Sequence, residues 1–221
     1  MYYDYWLNEG ELSQVTELIK KNINILKQRL DEKFDDPSLF NVINETSRFV
    51  FEMPIHIEYY ENPRNNYERQ ISGQVKDDNF RVRSADRILR EGVIPSCSDY
   101  GLLFRTFMIA QGIPTSIYDA FHVNYLFGKE FHGRVFSRVF KGNNVLIINP
   151  QRKNAVLSTC DFEILPYVPV FESLDFKDSG IDSYEKMHKF KEDNMSTLLK
   201  VYEKNMHKKF IYDLNMFDSL S

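Results

Sequence analysis

The sequence has few cysteines, a single tryptophan, no excess of basic residues and no long apolar run. Its 221 residues include two Cys and one Trp, and 28 Lys and Arg stand against 32 Asp and Glu, for a formal net charge of −4. Two cysteines do not make a disulfide framework for a chain of this length. The lack of a basic excess argues against nucleic acid as the main partner. No stretch approaches the roughly 18 apolar residues that a membrane helix needs, so no membrane partner is expected.

Other absences exclude further classes of protein. The N-terminus has no basic region followed by an apolar run, so we predict no signal peptide and a cytoplasmic protein with reduced thiols. No group of His, Cys, Asp and Glu has the spacing of metal ligands, and no glycine-rich phosphate loop is present. We therefore expect neither a metal nor a cofactor. The 18 Phe and 13 Tyr and a hydrophobic fraction of 43% indicate a packed core.

The hydrophobic periodicity predicts helical ends around a strand-rich middle. Helical spacing is found over about residues 9–34, 39–53, 84–90, 97–111 and 184–206. Beta-branched and aromatic residues predict strands over 115–121, 123–127, 131–140 and 145–148, with a further short strand near 155–157. Turn-forming residues predict a polar connector over 59–80 and an irregular segment over 162–176. The chain should thus be α+β and a single structural domain, with an N-terminal helical segment 1–60, a core 61–176 and a C-terminal helix and tail 177–221.

A thiol lies where one of these helices should begin. Ser96 suits the N-cap, and Asp99 completes an S-x-x-D capping box. The helix should end at Gly112, because Ile113-Pro114 follows. Cys97 then takes the first helical position, where free backbone N–H groups and the helix dipole favour an anion, so we expect its thiol to be shifted toward thiolate. A lone cysteine at such a position is also often merely buried.

Two further residues could complete a catalytic group with this thiol. His132 lies at the start of one predicted strand and Asn149 at the end of the next. A hairpin joins the two strands, so the residues could be neighbours across the ladder. A cysteine nucleophile needs a base within hydrogen-bond reach, and the base needs a third group to orient it. His122 is a rival candidate for the base, and Asn149 could simply be a turn residue before Pro150.

These blocks resemble the transglutaminase-like superfamily of papain-type fold. The resemblance is carried by Gly92-Val93-Ile94-Pro95-Ser96-Cys97-Ser98-Asp99-Tyr100, by Gly112-Ile113-Pro114, by His132 and by Asn149-Pro150. It covers about residues 85–150. It implies a papain-like core in which the cysteine helix packs on an antiparallel sheet, with the helical ends as additions.

The sequence departs from the family pattern at two positions. The family usually has Asp where Asn149 stands, and the amide can still accept the histidine N–H but brings no charge. An aromatic residue commonly follows the family histidine by two positions, and Arg134 occupies that place. Arg134 could bind a substrate carboxylate through two parallel hydrogen bonds, or it could pair with a surface acid.

The resemblance implies a cysteine-dependent enzyme acting on a protein or peptide. Cys97 would attack a peptide or glutamine carboxamide, with His132 as base and then acid and Asn149 as its orienting group. Water (peptidase or deamidase) or an amine (transglutaminase) would then resolve the acyl-enzyme. A catalytically silent interaction module and a Cys-His acyltransferase are the alternatives. The sequence does not define the oligomeric state.

Overall fold

The computed structural model shows a helix held between a pair of helices and an antiparallel sheet. It describes residues 3–53, 78–92, 96–128, 132–142, 144–151, 157–158 and 167–206. A 3₁₀ turn, Tyr3–Leu7, is followed by helices α1 Glu17–Lys33, α2 Leu39–Glu52, α3 Ala85–Glu91, α4 Cys97–Ala110, α5 Val123–Phe127 and α6 Tyr184–Met206. The strands are β1 Thr115–His122, β2 Gly133–Lys141, β3 Asn144–Ile148, β4 Leu157–Ser158 and β5 Tyr167–Ser173. The predicted α+β class is confirmed.

Helix α1 begins at Glu17, eight residues later than predicted. Thr16 is its N-cap, with a side chain that accepts a hydrogen bond from the Ile19 N–H and donates one to Asp86. The preceding residues form turns instead, because the Leu12 N–H donates to the carboxylate of Asp175. The apolar spacing in residues 9–16 therefore comes from side chains that pack on the core outside a helix.

Helix α4 is the centre of the core. Every residue from Ser98 to Ile109 is buried. Residues of α1 and α2 pack against this helix together with Val135 of β2. On the sheet side, Phe104 and Met108 lie against Val139 and Leu146. A helix that is covered all round has to be apolar on nearly every face, and the sequence of α4 meets that requirement.

The sheet has the strand order β4-β3-β2-β1-β5, and its neighbouring strands are antiparallel. Strand β2 pairs with β3 from Lys141↔Asn144 to Ser137↔Ile148 and no further. Beyond that point the chain turns away at Asn149. Among the described residues, no strand pairs with the first residues of β2 on this side.

Residues 123–127 form the short helix α5, so the predicted strand there is wrong. The ring of His122 caps it by accepting from the Asn124 N–H at 3.1 Å. At the other end, the ammonium of Lys191 donates to the carbonyls of Tyr125 and Gly128, at 3.3 and 3.1 Å. Contacts from α6 thus override a local β preference, as tertiary packing often does.

Residues 167–173 form strand β5, so the predicted irregular segment is wrong there as well. The prediction depended on prolines, and Pro169 does interrupt the ladder, since the register shifts between Asp119 and Ala120 of β1. Strand β5 lies at one edge of the sheet. A proline is tolerated there because an edge strand needs only one side for pairing.

Several predicted features lie outside the described residues: the larger part of the 59–80 connector, Cys160 and the tail beyond residue 206. The division of the chain at residues 60 and 176 stays a prediction. Within the described ranges, no helix is both long enough and apolar enough to cross a membrane.

Gly101→Ala should destabilise the protein by about 1–3 kcal/mol, the usual cost of overpacking a core. A Cβ at Gly101 would lie 2.5 Å from Cγ1 of Val135. The helical preference of alanine, worth about 0.5–1 kcal/mol, works in the opposite direction and is too small to compensate. Urea denaturation followed by circular dichroism measures the difference.

The matched control is the double variant Gly101→Ala/Val135→Ala, in which the colliding methyl group is gone. The double variant should lose less stability than the two single losses add up to. The difference should be about 1 kcal/mol or more, the coupling typical of residues in contact. Additive losses would mean that α4 and β2 are not in close contact at this point.

Candidate functional site

Cys97 is the first residue of α4, where the sequence analysis expected it. Its side chain is half-buried. Burial raises the pKa of the Cys97 thiol above its ordinary value, and the carboxylate of Asp119 adds to the rise. A hydrogen bond from the Val135 backbone and the nearby cations of Arg81 and Arg134 lower the pKa by less. The expected shift toward thiolate is therefore not found, because desolvation outweighs the favourable charges.

The start of α4 is capped differently from the prediction. Ser96 is at the N-cap position, but its hydroxyl does not cap a helix N–H and instead donates to the Asp99 carboxylate at 3.0 Å. The Ser96 backbone N–H also donates to Asp99, so half of the capping box is formed. Arg83 pairs with Asp99 at 3.1 Å. Even so, burial raises the pKa of Asp99 to about 6.

An ion pair that the sequence analysis missed lies beside the thiol. Arg81 and Asp119 are both buried and in contact. The Nε of Arg81 donates to the Ser98 hydroxyl at 3.2 Å, and one of its terminal nitrogens donates to the Ile181 carbonyl at 3.3 Å. Asp119 could have been noticed in the sequence, since an acid within an apolar strand usually has a buried partner. No local signal identifies Arg81.

The ring contacts of His132 are made with His122 and Tyr167 and not with Cys97. The exposed ring of His132 stacks on the ring of His122, with centroids 4.1 Å apart and an interplanar angle of 9°. The ring of Tyr167 lies edge-on to both imidazoles and also to Phe136. Phe136 belongs to the cluster on the far face of the sheet from α4. The predicted base and its rival thus lie together on that far face, and among the described residues no hydrogen bond joins either one to the thiol.

The register also separates His132 from Asn149. Continuing the β2–β3 pairing beyond Ser137↔Ile148 brings Asn149 opposite Phe136. His132 is four residues further along β2, about 13 Å at the rise of a strand. The expectation that His132 and Asn149 are neighbours across the ladder is wrong, because the hairpin turn fixes a different register.

The guanidinium of Arg134 lowers the pKa of the Cys97 thiol, by less than the hydrogen bond from the Val135 backbone of the same strand does. The same group donates to the side-chain amide oxygen of Gln151. The Gln151 backbone N–H in turn donates to the Asn149 side chain at 3.2 Å, a turn stabilised by that side chain. Hydrogen bonds therefore join Arg134, Gln151 and Asn149, and the grouping of these residues with Cys97 in one site stays a prediction.

Among the described residues, no group of three or more His, Cys, Asp and Glu side chains could hold a metal ion. His188 bonds the hydroxyl of Tyr125 at 2.7 Å and so has a structural partner.

No family model matches the sequence. No curated protein matches it either. Among solved structures, a provisionally assigned cysteine protease from Cytophaga hutchinsonii is similar in structure, with 13% sequence identity and a TM-score of 0.49. The alignment covers 81% of this chain and 50% of that one, so this chain spans half of that protein's length.

Arg134→Gln should slow the alkylation of Cys97 by iodoacetamide near neutral pH. The cation of Arg134 lowers the thiol pKa, so its removal raises that pKa and leaves less thiolate. We expect a lower rate, because the rate of alkylation follows the fraction of thiolate. Both proteins carry Cys160→Ser so that one thiol is measured. An unchanged or faster rate would mean that Arg134 does not act on this thiol, and Arg134→Lys should retain most of the wild-type rate.

Asp99 should make the protein more stable as the pH falls. Its pKa of about 6 in the folded state exceeds its ordinary value of 3.8, so the folded state binds a proton before the unfolded state does. Between pH 7 and 4.5 this single group should add about 2 kcal/mol to the free energy of unfolding. Chemical denaturation of wild type and Asp99→Asn across this range isolates the contribution. If the difference in the free energy of unfolding between the two proteins does not vary with pH, the raised pKa of Asp99 is contradicted.

Proposed function

We propose that this chain is a transglutaminase-like domain that binds a peptide at the Cys97 site and is catalytically silent there. The position of the histidine carries the proposal. The imidazole of His132 stacks on His122, while the side chain of β2 that acts on the thiol is the cation of Arg134.

A cysteine nucleophile depends on a base that takes the thiol proton or keeps the thiolate ready. Arg134 cannot take that proton, because a guanidinium stays protonated in proteins. Asp119 is committed to its ion pair with Arg81 and raises the thiol pKa. The thiol is thus predominantly neutral at pH 7, a state suited to binding rather than to attack on an amide.

A cysteine-dependent amidase is the second candidate, and the position of Cys97 favours it. The thiol lies at the N-terminus of a 14-residue helix, where backbone N–H groups can stabilise an oxyanion. In that mechanism Cys97 attacks a peptide or glutamine carboxamide, His132 transfers the proton to the leaving amine, and water or an amine resolves the acyl-enzyme. Asn149 would orient His132. A Cys-His acyltransferase with a thioester donor would need the same base.

The two candidates differ in how the alkylation of Cys97 depends on pH. For the silent domain, the rate in a Cys160→Ser background should rise with a midpoint above the ~8.5 of a free thiol. His132→Ala should follow the same curve, since the ring contacts of His132 are made with His122 and Tyr167 and not with Cys97. Iodoacetamide kinetics from pH 5 to 10, followed by mass spectrometry of the Cys97 peptide, give both curves.

A different pH dependence would overturn the proposal of a catalytically silent domain. An alkylation rate that stays high below pH 7 and falls in His132→Ala would indicate an activated thiolate and support the amidase. Labelling by an electrophilic amide-mimic probe provides the second measurement. Labelling that requires both Cys97 and His132 would support the enzyme, and equal labelling of wild type, Cys97→Ala and His132→Ala would exclude it.

A further inference from the structure

The charge of Arg134 has no carboxylate partner among the described residues. Arg134 is half-buried, and its hydrogen-bond partner is the neutral amide of Gln151. Seven other described arginines each form an ion pair with Asp or Glu: Arg29, Arg48, Arg81, Arg83, Arg87, Arg90 and Arg138. Arg105 forms none but is completely buried and bonded to Ser13 and Asn8. Arg134 is therefore the partly exposed arginine of the described chain whose charge is left uncompensated.

The surroundings of Arg134 hold its guanidinium in place without using up its donors. A guanidinium has five N–H donors in a planar fork, and the bond to Gln151 accounts for one nitrogen. Gln151 is itself fixed, because its backbone N–H donates to Asn149 and the intervening Pro150 is buried. A guanidinium group that is already oriented in this way costs less side-chain entropy when a ligand binds to it.

We propose that Arg134, oriented by Gln151, binds a carboxylate of a peptide ligand. That the ligand is a peptide rests on the proposed function. That it presents a carboxylate rests on the geometry of Arg134. A carboxylate matches the planar fork through two parallel hydrogen bonds. One uncompensated positive charge suits a singly charged carboxylate better than a phosphate, whose charge of about −1.5 to −2 calls for a second cation. Arg81 is already neutralised by Asp119.

The carboxylate can be the C-terminus of the peptide or an acidic side chain, since both present the same two oxygens. Three short peptides separate the sources: acetyl-Ala-Ala-Ala with a free C-terminus, the same peptide amidated, and amidated acetyl-Ala-Glu-Ala. Binding is measured by nuclear magnetic resonance titration of the full chain carrying Cys97→Ala. No acyl-enzyme can form in that variant, so the result does not depend on whether the native site is catalytically silent.

We expect at least one of the two carboxylate peptides to bind about tenfold more tightly than the neutral amidated peptide, the advantage of a charge-assisted bidentate pair. Arg134→Gln should abolish the preference, and Arg134→Lys should retain part of it. Arg90→Gln, which removes the same charge from an exposed helix face, is the matched control and should bind as its parent does.

Three results would overturn the proposal. The first is equal binding of all three peptides, and the second is a preference that survives in Arg134→Gln. The third is inorganic phosphate binding at Arg134 more tightly than either carboxylate peptide. Absence of binding by every peptide up to 10 mM, about the weakest affinity of interest for a specific site, would also contradict it. Circular dichroism spectra of each variant separate lost binding from lost folding.

Discussion

The buried ion pair between Arg81 and Asp119 is the interaction on which the arrangement of this protein depends. It joins the segment before α3 to the middle of β1, and Arg81 also bonds Ser98 of α4 and the carbonyl of Ile181 before α6. The guanidinium lies 4.5 Å from the ring centroid of Phe176, with further aromatic rings around it. Removing either charge would leave the other buried and unpaired, which typically costs about 3–5 kcal/mol. Four parts of the chain are thereby held at one point.

The same pair sets the electrostatics of the thiol. Asp119 raises the pKa of Cys97 while Arg81 lowers it, so their effects oppose each other and desolvation decides the outcome. The backbone of Arg81 has a φ of 60°, a conformation that non-glycine residues rarely adopt. Such strain persists only where the surroundings over-determine it, and here the ion pair and the aromatic rings do so. Asp119 neutralises the charge of Arg81, whereas the described residues provide no carboxylate partner for Arg134.

Local signals predicted much of the fold, and tertiary contacts account for the failures. Helices with a capping residue and a clear end were located to within a residue or two, as in α2 after Ser38 and α3 before Gly92. The errors fall where a distant group decides the conformation. Lys191 of α6 completes helix α5, and Asp175 holds the turn ahead of α1. Strand β5 forms despite Pro169 because it lies at the sheet edge, a position that no local pattern reveals.

The sequence by itself determined that Cys97 begins a buried helix and that a hairpin of two strands follows. These features depend on residues close together in the chain, such as N-caps, turn glycines and apolar periodicity. Only the tertiary structure decided which groups meet the thiol. That choice depends on how β2 packs on α4 and on the register of β2 and β3, which direct the ring of His132 to that of His122 and bring the backbone of Val135 to the thiol. These contacts join residues far apart in the chain, and no local pattern encodes them.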